Sequence, residues 1–300
     1  MSEISGVLCL NKEKGATSHD MINRVRRLFS LRRVGHTGTL DPLATGVLVV
    51  MVGRAAKAAE FLSCDKKEYV AKMRLGLESD TEDITGNIIS EYKGELPTEE
   101  EVKAVVSSFV GEISQMPPMY SAIKINGRKL VDLARKNIEV ERPLRRITVY
   151  SIELEREGDE YILKVCCSAG TYVRTLCADI GRALGCGAVM TELTRTKSGD
   201  FSLEGACTLA ELEAADESGR LSYLLPTESL FSDLTVVRLP EFFERLARSG
   251  LEIYLKKISL SLPVGTRVRL YGADGFFAVG EVKEYPDGNA IKPIKQFVLK

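Results

Sequence analysis

The chain has no apolar run approaching the ~18–20 residues a helix needs to cross a bilayer, which excludes a helical membrane span. Its start, Met1-Ser2-Glu3-Ile4-Ser5, places no basic segment ahead of an apolar one, so no signal peptide is predicted. No Cys-x-x-Cys pair occurs among its seven cysteines, and Cys166-Cys167 lie inside an apolar run, where small buried thiols are expected. A reducing, cytoplasmic setting without a structural metal follows. Excess positive charge is also missing: 41 Lys and Arg stand against 42 Asp and Glu. That balance excludes a protein that coats nucleic acid at large. Histidine is scarce, with only His19 and His36. No repeat or low-complexity segment is evident.

What is present is an ordinary globular composition, 44% apolar and 28% charged over 300 residues. This is enough for a real core and for one large or two moderate domains. Charge is unevenly placed. Arg24, Arg26, Arg27, Arg32 and Arg33 fall close together, while Glu78–Asp83 and Glu99-Glu100-Glu101 carry the compensating acid. Periodicity predicts a strand at Val7–Leu10, a hydroxyl-capped helix from Thr17 or Ser18 to Leu31, and a strand at Val47–Val52. An alanine-rich helix over Arg54–Leu62, a strand over Tyr69–Leu77 and a helix from Pro97 to Phe109 follow. Further on, a strand at Tyr161–Cys167 leads through Ser168-Ala169-Gly170 into a helix starting near Thr171. Two prolines make Gln115–Tyr120 a loop. Beyond Thr227–Thr235 the pattern changes to one helix at Pro240–Arg248 and three β-like runs, Arg267–Tyr271, Phe276–Lys283 and Ile291–Val298, with hairpin signals between them. The organisation expected is a first domain over 1–232 and a small, mostly β domain over 233–300.

The segment Gly35-His36-Thr37-Gly38-Thr39-Leu40-Asp41-Pro42-Leu43-Ala44-Thr45-Gly46-Val47-Leu48 carries the chemistry. Glycines allow close backbone approach, and Pro42 keeps Asp41 out of helical geometry. The turn therefore presents one carboxylate at the start of a buried strand. It lacks the lysine and spacing of phosphate-cradling loops. Taken alone, an Asp-Pro turn is more often architecture than catalysis.

The whole 14-residue run closely resembles the signature of the bacterial TruB family of tRNA pseudouridine synthases. Lys67-Glu68-Tyr69, Gly170-Thr171-Tyr172-Val173-Arg174-Thr175 and Leu193 in Glu192-Leu193-Thr194-Arg195-Thr196 match further family motifs in the same order. One departure is Asn11-Lys12-Glu13, where the family usually has Asp-Lys-Pro; Lys12 is kept. The resemblance implies an α/β fold: a mixed, mainly antiparallel sheet flanked by helices around an RNA-binding cleft, with a PUA-like C-terminal domain. It implies isomerisation of uridine 55 in the T loop of tRNA, with Asp41 as the catalytic carboxylate acting at the ribose C1′ or C2′. Tyr69 would stack on the extruded base and Leu193 would close over it. Tyr172 would assist proton transfer at C5, and Arg174 would hold Asp41 ionised. His36, a general-base candidate from its ordinary pKa alone, would instead help displace the target nucleotide. Lys12 would make a phosphate or active-site contact, and Arg24, Arg26 and Arg27 would meet phosphates. Nothing is oxidised and no group enters from outside, so neither cofactor nor metal is expected. A monomer with no obligate protein partner is expected too. The main alternative is a non-catalytic RNA-binding or tRNA-folding protein on the same scaffold. A guide-RNA-dependent enzyme and a small-molecule nucleotide-binding enzyme are weaker rivals.

Overall fold

The computed structural model describes residues 4–62, 66–125, 127–136 and 138–298. Seven strands form the main path of a nine-stranded sheet: β1 (Gly6–Lys12), β2 (Thr45–Val52), β3 (Lys67–Leu75), β4 (Gly111–Gln115), β5 (Arg145–Glu157), β6 (Glu160–Cys167) and β7 (Ala188–Ser198). Their order across the sheet is β1-β2-β7-β3-β6-β5-β4. Pairing along this path is antiparallel except where β7 meets β2, with Thr194 opposite Thr45 and Arg195 opposite Gly46 in parallel. Short strands Val34–His36 and Phe201–Ser202 extend β2 and β7. The expected mixed, mainly antiparallel sheet is what the chain forms.

Successive strand residues point to opposite faces, and each face is apolar. Leu8, Leu10, Leu48, Val50, Ala71, Met73 and Leu163 meet the helices α1 (Ser18–Leu28), α2 (Glu99–Ser108) and α3 (Val173–Ala183). Val7, Cys9, Val47, Val49 and Met51 face the other way, against Phe231, Val279 and Phe297. Burying each such side chain contributes about 1.5–3 kcal/mol. Thr17 and Thr98 cap α1 and α2 with reciprocal capping boxes to Asp20 and Glu101, each worth about 1 kcal/mol.

The second sheet holds five strands, in the order Thr235–Arg238, Arg267–Gly272, Gly275–Lys283, Ala290–Gln296, Ile253–Tyr254. Helix α4 (Glu241–Arg248) packs on it around Leu270, Phe277 and Ile291. Its Val279 and Phe297 reach into the core behind the first sheet, where the Phe231 and Phe297 rings lie 5.3 Å apart.

Several elements depart from expectation. Helix α1 stops at Leu28 rather than Leu31, because Ser30 turns left-handed (φ 52°) and the Leu31 N–H closes back on the Arg26 carbonyl. The alanine-rich segment is a 3₁₀ helix over Gly53–Phe61, with Ala55 and Ala58 buried. Their spacing of three fits the eclipsed 3₁₀ repeat, which small side chains tolerate. Strand β3 ends at Leu75, and Leu77 opens a separate hairpin of Leu77–Ser79 with Ile88–Glu91. Gln115 belongs to β4 and only the residues after it form the loop. Cys166 is half-buried while Cys167 is fully buried; Cys64 lies outside the described residues.

The β2–β7 contact depends on Gly46. Its φ is 97°, and a Cβ there would lie 2.2 Å from the Arg195 carbonyl oxygen. Gly46→Ala is expected to destabilise the fold by about 2–3 kcal/mol through strain and overpacking. Chemical denaturation measures this, and an unchanged midpoint would refute the close-approach argument.

Candidate active site

Asp41 is fixed by tethers on either side. The buried Ser18 hydroxyl, at the first turn of α1, donates to the Leu40 carbonyl (3.0 Å) and accepts from the Leu40 N–H (2.8 Å). On the other side the Pro42 carbonyl accepts from the Gly15 N–H at 2.8 Å and from Lys12 Nζ at 3.4 Å. Lys12 is fully buried and also donates to the Ala16 (2.7 Å) and Glu13 (2.9 Å) carbonyls. Its three N–H groups are thus spent beneath the turn. Of the two contacts expected of Lys12, phosphate or active site, its burial beneath the Asp41 turn favours the second. Burial lowers its pKa to about 8, with the Asp41 charge opposing that shift.

The carboxylate itself remains about a third exposed, and its Oδ2 lies 3.2 Å from Arg174 Nη2. Arg174 is almost completely buried in the first turn of α3. Its Nη1 lies 3.5 Å from Asp83 Oδ2 and donates to the Thr81 carbonyl at 3.0 Å, while Nη2 donates to the Tyr120 carbonyl at 3.0 Å. The other Asp83 oxygen is occupied by the Thr81 and Thr85 hydroxyls and the Thr85 N–H. Between these partners Glu82 adopts a left-handed backbone (φ 65°), a strained conformation held by the loop around it. Burial raises the Asp41 carboxyl above its ordinary value. Arg174 pulls it down, as expected, but is outweighed, and the nearby Asp83 adds to the rise.

Tyr172 caps α3. Its N–H donates to Gln115 Oε1 (2.9 Å) and its carbonyl accepts from Gln115 Nε2 (3.1 Å). Burial raises its hydroxyl, with the Ser121 hydroxyl and Arg145 pulling it back; Asp41 is close enough to act on it as well. Tyr69 is 8% exposed on β3 and its hydroxyl is likewise raised by burial. Leu193 sits opposite Ala71, two residues along the same faces from the Arg195–Tyr69 pair. His36 ends the short strand beside β2, and its Nδ1 accepts from the Gly38 N–H at 3.2 Å. Burial, then the Arg195 charge, lowers its pKa and favours neutral imidazole.

The arginines of α1 make their contacts away from this cluster. Arg24 is exposed near Glu13 (3.7 Å) and Glu213 (3.9 Å). Arg26 is half-buried and donates to Asn23 Oδ1 (3.0 Å) and the Val34 carbonyl (3.2 Å), so it braces the strand carrying His36. Arg27, Arg32 and Arg33 are exposed. Among the described residues, no group of three or more His, Cys, Asp or Glu side chains could hold a metal ion.

One partly exposed carboxylate thus stands among buried cations and two largely buried phenols. Two family models match this chain: the TruB family pseudouridylate synthase N-terminal domain over residues 26–173, and the tRNA pseudouridylate synthase B C-terminal domain over residues 174–232. Over 279 residues the chain is 41% identical to tRNA pseudouridine synthase B of Clostridium tetani, covering 93% of this chain and 96% of that one. The chain belongs to the TruB family. A second TruB relative, tRNA pseudouridine synthase B of Bacillus pumilus, is 40% identical over 300 residues, covering 97% of each. Among solved structures, one from a Cbf5-Nop10-Gar1 complex aligns with a TM-score of 0.75 at 30% identity, over 98% of this chain and 85% of that one. As a TruB member the chain is a pseudouridine synthase that converts uridine to pseudouridine in tRNA.

Removing Arg174 leaves Asp83 buried without its cation and frees Asp41 from its partner. Arg174→Gln should lower the rate by ~100-fold, and the acid limb of its pH–rate profile should move to higher pH. The sign follows because Arg174 is the principal group pulling the Asp41 pKa down. A pH–rate profile over the acid range measures it, and an unmoved limb would disconnect the two residues.

Proposed function

We propose that this enzyme isomerises uridine 55 in the T loop of tRNA, with Asp41 as the catalytic residue. The carrying observation is the pairing of a partly exposed Asp41 carboxylate with the almost completely buried Arg174. The isomerisation breaks the C1′–N1 bond, turns the uracil and joins C1′ to C5; N1 gains a proton and C5 loses one. Asp41 acts at the ribose, as nucleophile at C1′ or as base at C2′. Tyr69 and Leu193 hold the base, and Tyr172 assists proton transfer at C5. Because the reacting atoms are inaccessible in a folded T loop, the nucleotide must first be extruded; His36 helps displace it. The catalytic unit spans 1–232. The five-stranded unit over 233–300 is a PUA-like platform for RNA. The enzyme works in the cytoplasm as a monomer, although the solved neighbour stands in a complex with Nop10 and Gar1.

Asp41→Asn should abolish tritium release from C5-labelled tRNA transcripts while tRNA binding persists. Release must also vanish with a transcript lacking the T-loop uridine. Full activity in the variant would sink the role of Asp41; release from the control transcript would sink the choice of site. Because Arg26 is engaged internally, the phosphate contacts fall to its exposed neighbours. Neutralising Arg27 and Arg33 together should weaken binding and flatten the slope of log K against log salt by ~0.7–0.9 for each phosphate no longer neutralised. An unchanged slope would move the interface elsewhere.

A further inference from the structure

Arg195 is among the largest fully buried side chains, at 1% exposure, and catalysis as described makes no use of it. Its charge is answered by carbonyl oxygens. Nε donates to the Val47 carbonyl at 2.6 Å and Nη2 donates to the Gly38 carbonyl at 3.1 Å. Gly38 belongs to the turn that carries Asp41, and Val47 lies in the strand that follows it. Across the sheet Arg195 stands directly opposite Tyr69, on the same face, and the β7 register slips immediately beyond this pair. The guanidinium is close enough to the Tyr69 hydroxyl for its charge to oppose the rise that burial imposes there. A Cβ at Gly38 would stand 3.6 Å from Arg195 Nη1, at van der Waals distance, so the turn lies directly against the guanidinium.

We propose that Arg195 is a positioning residue for the isomerisation: its buried fork ties the Asp41 turn, the strand after it and the Tyr69 side chain into one rigid unit. The inference rests on the roles of Asp41 and Tyr69 given above. A buried charge is costly, and an apolar side chain of similar length would fill the space more cheaply. What an apolar residue lacks is direction, since a planar guanidinium meets several acceptors at fixed angles. Pseudouridine formation makes direction valuable. Once the C1′–N1 bond is broken, the uracil must turn without leaving, so the carboxylate below and the ring beside it must keep their separation. Lysine at this position keeps the charge but offers a single point in place of the fork.

The test compares wild type, Arg195→Lys, Tyr69→Phe and the double variant of the full chain. Single-turnover tritium release is measured under saturating enzyme, alongside tRNA affinity and thermal unfolding. Arg195→Lys is expected to bind tRNA within about twofold of wild type and to react ~10- to 100-fold more slowly. In the Tyr69→Phe background the same substitution should cost much less, because part of its effect passes through the phenol. Fully multiplicative effects, or altered stability with an unchanged rate, would overturn the proposal. Should Arg195→Lys fail to fold, Tyr69→Phe decides: an unaffected single-turnover rate removes the phenol that Arg195 is held to orient. Failure of the catalytic reading is distinguishable, since wild type itself would then release no tritium.

Discussion

A guanidinium can be buried only when its charge and its N–H groups are met, and at Arg174 that demand organises the site. Its partners come from segments far apart in the chain: Asp41 in the Gly-rich turn, Thr81 and Asp83 in a hairpin loop, and Tyr120 after the paired prolines. None of these segments is regular structure. Each is held in place because the cation would otherwise be stranded. The left-handed backbone at Glu82 is tolerated for the same reason, since it lies between two residues that the guanidinium requires. Taking away one member leaves a buried charge uncompensated, at a cost of about 3–5 kcal/mol.

The site divides its charged groups by how they are satisfied. Asp41 alone faces a partner it can exchange, because it is the partly exposed member. Lys12 and Arg195 are answered by backbone carbonyls, which cannot titrate. Their effect is geometric, fixing the turn from below and from the side. Burial raises the Asp41 pKa while Arg174 and Lys12 restrain it, leaving a carboxylate less fully solvated than one in water.

Much of this was legible in the residue pattern. Helices α1 and α3 announce themselves through apolar spacing, and β1, β2, β3 and β6 through short apolar or alternating runs. Asp41, Tyr69, Tyr172, Arg174 and Leu193 stood out through motifs. Strand β5 did not, because the bulge between Val149 and Ser151 breaks the alternation of Ile147 and Val149 with Ile152 and Leu154, and its outer face carries Glu153, Glu155 and Glu157. Strand β7 hid for a related reason: Arg195 and Ser198 occupy buried positions that an apolar count reads as surface. Ser18, Gln115 and Asp83 were invisible as site residues because each acts through a partner remote in sequence. The internal hydrogen bonds of Lys12 and Arg26 were not legible either, because their carbonyl partners lie in segments that sequence spacing does not bring together. The parity of Leu193 and Arg195, two apart on one strand, was the available sign that both face the same side.

The position of β7 has a consequence for how the enzyme comes into being. Residues 6–52 supply one edge of the sheet and residues 67–167 supply the other, yet these two parts are joined through a strand that follows both of them in the chain. Without β7 the earlier strands make two separate partial sheets with open inner edges. The last strand closes them, bringing Leu193 opposite Ala71 and Arg195 against Gly46 and Tyr69 in the same event. Such late, long-range pairing slows folding, but it makes competence all-or-none. A nascent chain gains its catalytic geometry only when that keystone is set.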